Sequence, residues 1–555
     1  MRAAFAMIFG GGRAENGQWY TAMTKFSRRS ALLTSGLGAL GLASTRVRAR
    51  APEGKPSAPS WARGYENQRR ADLGNGSYLN PILAGDHPDP SILKDGGDYF
   101  MTFSSFDAYP GLVLWHSRDL VNWQPLTASL KTNVGSIWAP ELCKHAGRYY
   151  IYVAAKKPGA NSCYVISSSS IEGPWSEPVD LHLPKHIDPG HAVGEDGSRW
   201  LFLSGGDRVR LSADGLSTSG VVEHVYDPWH YPEEWDVESF SPEGPKLTRH
   251  GEYYYLITAV GGTAGPPTGH MVIAARSKSI HGPWEQHPKN PLVRTRSSEE
   301  RWWSRGHATL VEGPRGDWWS VYHGYENGFW TLGRQTLLAP VQWTRDGWFE
   351  LGGGDLSRPI AKPSAGSGPT AHGTPLSDDF RSDRVGIQWH FFDPAPNETS
   401  RIQRSDGVLH LSAAGSAPKD SSPLLFVVGD RAYEIECDID IDAGARAGLL
   451  LFYDRQLYCG LGFDEQNFVT HQYGLERGRP ANPHGHKLRM RLRNDRHIVS
   501  FHTSADGMNW KRFDRGMEVS GYHHNVRGGF LMLKPGLYAA GQGRARFSNF
   551  RYRAI

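Results

Sequence analysis

Gly97-Asp98-Tyr99-Phe100, Gly147-Arg148-Tyr149-Tyr150, Gly197-Ser198-Arg199-Trp200, Gly251-Glu252-Tyr253-Tyr254 and Gly316-Asp317-Trp318-Trp319 are five versions of one phrase. Each sets a turn glycine ahead of aromatic residues and a strand-forming run, the chemistry of a hairpin between half-buried strands. The glycines lie 50, 50, 54 and 65 residues apart. A period of that length, with several short strands per unit, predicts β-propeller blades, and five units close a ring over residues 76–352. A second phrase recurs with them. Ser168-Ser169-Ser170-Ile171-Glu172-Gly173-Pro174-Trp175 is echoed by Ser277-Lys278-Ser279-Ile280-His281-Gly282-Pro283-Trp284, and both tryptophans are expected to pack between blades.

The rest of the chain agrees with an all-β reading. Its 555 residues hold 65 Gly, 36 Pro, 19 Trp, 23 Tyr and 22 Phe, with 39% hydrophobic and 21% charged residues. That composition excludes wholesale disorder, and a formal net charge of +4 excludes a strongly basic nucleic-acid binder. Even the +4 belongs to the leader. Residues 1–51 hold eight of the 61 Lys and Arg and one of the 57 Asp and Glu, so their removal leaves the chain near −3. The leader carries Arg28-Arg29, an apolar run from Ala31 to Ala43 and the cleavage-like Ala49-Arg50-Ala51. This is the pattern of an export signal of twin-arginine type, with the true start at Met23 or Met7, and the run is too short to span a bilayer. Export to a bacterial periplasm or beyond is expected, with no membrane insertion. The Gly36, Gly38, Gly41 spacing has no preceding strand and is not a nucleotide-binding loop. Cys143 and Cys163 lie in one region and Cys437 and Cys459 in another, which allows either two disulfides or four buried thiols.

Measured against the repeat glycine, the polar residues fall into register. Asp89 lies eight residues before Gly97, Asp188 nine before Gly197, Glu243 eight before Gly251 and His307 nine before Gly316, while Trp138 lies nine before Gly147. Equivalent positions on the innermost strands converge on the propeller axis, so these five residues are expected to ring one end of the channel. Clustered carboxylates repel one another and resist burial, and a function is the simplest reason to keep them. Glycosidic bond hydrolysis uses such a set: one acid protonates the leaving oxygen and another activates water. Asp188 and Glu243 come from neighbouring units, so Asp188 is expected to raise the Glu243 pKa, which makes Glu243 the acid. Register selects Glu243 over Glu233, Glu234, Asp236 and Glu238. The sequence holds no HExxH, GxSxG or CxxC pattern, which removes the common metal, serine-hydrolase and thiol readings.

The residues around these acids resemble glycoside hydrolase family 43. The resemblance runs through Asn80-Pro81-Ile82-Leu83, His87-Pro88-Asp89-Pro90-Ser91-Ile92, Trp138-Ala139-Pro140-Glu141, Ile187-Asp188-Pro189, Glu243-Gly244-Pro245, Gly306-His307 and Gly333-Arg334-Gln335-Thr336. It implies a five-bladed propeller acting with inversion as a β-xylosidase or α-L-arabinofuranosidase on plant cell-wall oligosaccharides, exo-acting and releasing xylose in the first reading. The alternatives are an arabinofuranosidase on the same scaffold and a carbohydrate-binding protein without catalysis. By resemblance Asp89 is the general base, Glu243 the general acid and Asp188 the residue that tunes and orients the acid. Phe106 and Trp138 would wall the sugar pocket, Arg334 would bind sugar hydroxyls, and His307 would sit beside a water cluster or a structural calcium ion. No cofactor is required for the chemistry. His87 and Gly190-His191 depart from the family pattern, which places pocket detail in question.

Residues 353–375 have the Gly, Pro, Ser and Ala content of a linker. Beyond it, runs such as Val408 to Leu411, Tyr433 to Ile441 and Ala447 to Tyr453 predict a β-sandwich over 376–555. Asp378-Asp379-Phe380, Gln388-Trp389 and Ala447-Gly448-Leu449-Leu450 resemble the concanavalin-like domain of family 43 β-xylosidases, which packs on the propeller and helps close the pocket. His523-His524 is expected on the surface or in packing, not at a metal.

Overall fold

The computed structural model describes residues 60–159, 161–363 and 371–555. The proposed export signal and start sites lie outside these residues. Five antiparallel sheets make the blades, four of them four-stranded and the fourth in chain order five-stranded. Their innermost strands are Ser91–Asp95, Ser136–His145, Gly190–Val193, Glu243–His250 and Trp302–Glu312. These strands touch in sequence around the axis, and the fifth meets the first to close the ring. Each repeat glycine sits in the hairpin between the first and second strands of its blade. Gly147, Gly197, Gly251 and Gly316 take positive φ there, whereas in blade 1 the left-handed position falls on Gly96, one residue early.

Ring closure relies on the segment before blade 1. Asn80 Nδ2 donates to the Leu338 carbonyl and Asn80 Oδ1 accepts from Leu338 N, both within blade 5. Ile82 N and His87 N donate to the carbonyls of Thr336 and Arg334. A chain that must follow this path delivers Asp89 to the axis. Trp175 packs against a cluster shared by Leu114 of blade 1 and Ile151 of blade 2, and Trp284 against Phe202 of blade 3 and Leu256 of blade 4. Both are half-buried inter-blade wedges. The four cysteines are free and buried. Cys143 and Cys163 lie on strands separated by Arg148–Lys156. Two strand spacings, about 9.6 Å, exceed the reach of a disulfide.

Two sheets facing across one core form the C-terminal sandwich. In Ala432–Ile441 and Lys487–Asp495 burial alternates residue by residue, as one wet and one dry face require. The other sheet ends on a strand borrowed from blade 1: Ala108–Tyr109 pairs with His390–Phe392. Propeller residues Phe106 and Leu332 join the sandwich core. Arg69 before the propeller and Arg431 of the sandwich both donate to buried Glu326 of blade 5. The linker is ordered where described. Ile360–Ala361 pairs with Ser77–Tyr78, Leu356 is fully buried, and Lys362 Nζ reaches Asp72 at 2.6 Å and Asp119 at 3.1 Å. These contacts fasten the described part of the linker to the propeller.

Candidate active site

Asp89 and Asp188 share a local device. Each is followed by proline and takes a left-handed φ, 55° and 54°. A following proline disfavours the right-handed helical region, and left-handed backbone is sparsely populated for non-glycine residues, so surrounding contacts hold both. Asp89 Oδ1 accepts from Arg334 Nη1 at 2.8 Å, Oδ2 accepts from Ser104 Oγ, and its backbone N donates to His323 Nδ1 at 3.1 Å. His323 Nε2 then carries the proton and donates to Thr263 Oγ1 at 3.0 Å. His307 Nδ1 lies 3.4 Å from Asp89 Oδ1. Burial pushes Asp89 up, but the Arg334 guanidinium outweighs it and holds the carboxyl well below the usual range. Asp89 is an ionised carboxylate.

Asp188 and Glu243 face the opposite situation. Asp188 Oδ2 accepts from Gly244 N at 3.1 Å, directly coupling it to the residue after Glu243. Burial and the Asp89 charge push Asp188 up to about 7. Burial, then Asp188 and Asp89, push Glu243 well above the ordinary range. Of the two, Asp188 holds the better-stabilised anion because it accepts the Gly244 N–H and lies near Lys246, so the proton of the pair resides on Glu243. Gly244 is required twice. Its φ is +62°, and a Cβ there would stand 2.7 Å from His307 Nε2.

The ring of residues expected from register is present, although not every member faces the pocket in the expected way. Trp138 is half-buried, with Lys156 Nζ 3.3 Å from its ring centroid, and Phe530 of the sandwich meets it edge-on at 5.4 Å. Phe106 is 1% exposed and joins the sandwich core, reaching the site through the Arg334 guanidinium 5.6 Å from its ring rather than as an open wall. Arg334 lies between Phe106 and Phe530. Neither departure from the family pattern reaches the acids: His87 is wedged against Phe103 and Trp115, and His191 stacks on Tyr152 and accepts from Arg199 Nε. Glu233, Glu234, Asp236 and Glu238 are exposed.

Register missed His270, His323, Ser104, Lys246 and Phe530. His323 sits across from Gly306 in the neighbouring strand, so the Gly306-His307 phrase carried a signal for it through strand pairing. Lys246 Nζ ties Glu141 Oε2 at 2.6 Å and the Pro140 carbonyl at 2.7 Å, a buried ion pair joining blades 4 and 2. Phe530 arrives from more than 280 residues away and had no local signal. His524 stacks on Phe530 and His523 on Trp330, so the histidine pair serves packing.

A water cluster or a structural calcium ion was the expectation beside His307. The ligand atoms of Glu243, His270 and His307 lie within 4.8 Å of one another, and His307 Nε2 and both His270 nitrogens are buried without a hydrogen-bond partner. Two imidazoles and one carboxylate do not fit calcium, which takes six to eight oxygen ligands. No step of the chemistry is assigned to a metal here.

Comparison with known proteins matches this architecture. The family description Glycosyl hydrolases family 43 fits residues 78–349, and Beta xylosidase C-terminal Concanavalin A-like domain fits residues 377–553. The chain belongs to glycosyl hydrolase family 43, a family of inverting glycosidases. It is 31% identical over 378 residues to a xylan 1,3-beta-xylosidase of a Vibrio species, covering 60% of this chain and 68% of that one. It is 28% identical over 418 residues to a non-reducing end alpha-L-arabinofuranosidase of Bacteroides ovatus, covering 71% and 77%. The crystal structure of a GH43 protein from Bacillus licheniformis superposes with a TM-score of 0.76 at 28% identity, covering 86% of this chain and all of the other.

Proposed function

We propose that this chain is an exported, exo-acting glycosidase that releases a terminal pentose from plant cell-wall oligosaccharides, a β-D-xyloside first and an α-L-arabinofuranoside as the alternative. The observation that supports it most is the opposite perturbation of two carboxyl groups on one floor: Asp89 ionised beside Arg334, Glu243 protonated beside Asp188. Asp89 accepts a proton from water as the water attacks the anomeric carbon. Glu243 gives its proton to the leaving glycosidic oxygen as that bond breaks. Asp188 keeps the proton on Glu243 and, through the Gly244 N–H, fixes the backbone that carries it. The exo character rests on the sandwich, whose Phe530 stands against Trp138 and narrows the site to a pocket. A carbohydrate-binding protein without catalysis has no use for this division of charge.

The test is nitrophenol release from the paired nitrophenyl β-D-xylopyranoside and α-L-arabinofuranoside by wild type and Glu243→Gln. Turnover on either that falls at least about 10³-fold in the variant supports the assignment. Equal turnover by the two proteins removes it. N-terminal sequencing of the secreted protein tests export, with a mature start after Ala51 expected.

A further inference from the structure

Behind the catalytic floor, where blade 1 meets the sandwich, lies a second cavity of ≈ 160 Å³ that includes none of the three acids. One wall is aromatic: Phe103 and Trp115 hold the His87 ring edge-on between them, at 5.0 and 5.2 Å. The other walls carry polar groups without protein partners. Lys534 of the sandwich is 8% exposed, and among the described residues its ammonium makes no hydrogen bond or ion pair. His390 and Ser105 belong to the same walls, and His390 Nε2 and Ser105 Oγ are buried without a partner. Asp86 lines it as well, with Oδ1 accepting from Arg334 N at 3.3 Å.

An unpartnered buried polar group carries a desolvation penalty of about 1–3 kcal/mol, and an ammonium carries more. Several on one cavity mark a place where polar atoms of a ligand belong. The charges limit what that ligand is. Lys534 already interacts with the carboxyl groups of Asp86 and Asp107, so an anionic ligand would be repelled by both of them and a cationic one by the ammonium. Hydroxyl groups both donate and accept, and so satisfy an ammonium, a carboxylate, an imidazole and a serine together. The size is below the roughly 300 Å³ at which drug-sized sites begin, which limits the ligand to one ring. We propose that this cavity is a second carbohydrate site, which takes a single neutral sugar ring with its apolar face on Trp115 and its hydroxyls on Lys534, Asp86 and His390. Ser104, whose Oγ donates to Asp89, forms part of the same wall, so the bound sugar sits directly behind the support of Asp89. The ligand class follows from the cavity, and only the choice of pentoses as probes rests on the function proposed above.

Protein labelled with 5-fluorotryptophan reports the two places separately by ¹⁹F NMR, Trp115 for the cavity and Trp138 for the active site, each assigned by Trp→Phe substitution. Titration with D-xylose and L-arabinose is expected to shift the Trp115 signal along a saturating curve. That shift should survive Arg334→Ala, which weakens the active site, and should fall at least about fivefold in Lys534→Met, a value within the range for one lost hydrogen-bond contact, or in Val113→Phe, which adds bulk to the cavity wall that Val113 forms. Turnover of Lys534→Met and Val113→Phe shows that they are folded. A Trp115 signal that stays still throughout the titration overturns the proposal, and so does a shift unchanged in both cavity variants. A still Trp138 signal beside a saturating Trp115 signal would count against the pentosidase reading and leave the cavity site standing.

Discussion

The outer face of the sandwich and the floor of the propeller both gather carboxylates, and they treat them in opposite ways. On the sandwich, Glu434, Glu436 and Asp438 alternate outward along one strand, and Arg493, Arg491 and Arg489 stand directly across from them on the next. Their ion pairs run at 3.0 Å, 2.6 Å and, for the third, in close contact, all part-exposed. Asp440 meets Arg546 at 3.1 Å in the same ladder. On the floor, three carboxyl groups share one arginine. Asp89 takes it, and Asp188 and Glu243 lie beside each other, both largely buried, with Lys246 acting on Asp188 from further off. Cross-strand pairs are what a sheet uses to stabilise itself, so the ladder reads as structure. A carboxyl pair whose nearest arginine is taken by Asp89 works against folding, and such perturbed pairs cluster at functional sites.

The largest effect that would break this contrast is on turnover. Glu243→Gln and Asp89→Asn should each lower kcat by about 10³-fold or more in steady-state assays. Glu243→Gln should at the same time raise the melting temperature. Its folded pKa lies above the ordinary 4.5, so the carboxyl destabilises the fold increasingly as pH rises past 4.5, and an amide does not. Melting curves should show the gain at pH 7 and its loss below pH 4. A variant less stable than wild type at pH 7 would count against an uncompensated acid.

Next comes the pin beneath the floor. Lys246→Met leaves Glu141 buried without its cation and should cost about 3–5 kcal/mol, read as a fall in denaturant midpoint. Asp188→Asn should act on pH dependence. Removing its negative charge lowers the Glu243 pKa, so the alkaline limb of kcat/KM should move to lower pH while the acid limb, set by Asp89, stays. An unmoved alkaline limb would separate Asp188 from the proton of Glu243. The smallest effect belongs to the ladder. Arg491→Met on the exposed face should change stability by no more than about 1 kcal/mol and leave turnover untouched.

Much of this was visible in the chain before folding. The repeat glycines located all five blade hairpins, because a tight turn needs a residue free of Cβ strain wherever it falls. Counting back from them placed Asp89, Asp188, Glu243, His307 and Trp138 on one end of the axis, and each lies on or beside an innermost strand. The failures have a common cause. Phe106 was read as a pocket wall because its neighbours in sequence belong to the propeller, but the sandwich covers it. Composition marked residues 353–375 as a linker, and the backbone pairing and buried lysine that fasten it depend on partners that composition does not contain.

The sequence by itself determined the elements and their order, since turn chemistry, alternation and repeat spacing are local or periodic properties written along the chain. It also determined which acids meet, because symmetry turns equal register into proximity. Only the tertiary structure decided what each acid became. Whether a carboxyl holds its proton depends on which residue stands within a few ångströms of it, and Arg334 beside Asp89, 245 residues away, and Gly244 N beside Asp188 are contacts made by packing. The Phe530–Trp138 contact and the cavity around Lys534 are of the same kind. They exist where two domains touch, and neither domain's pattern carries them alone.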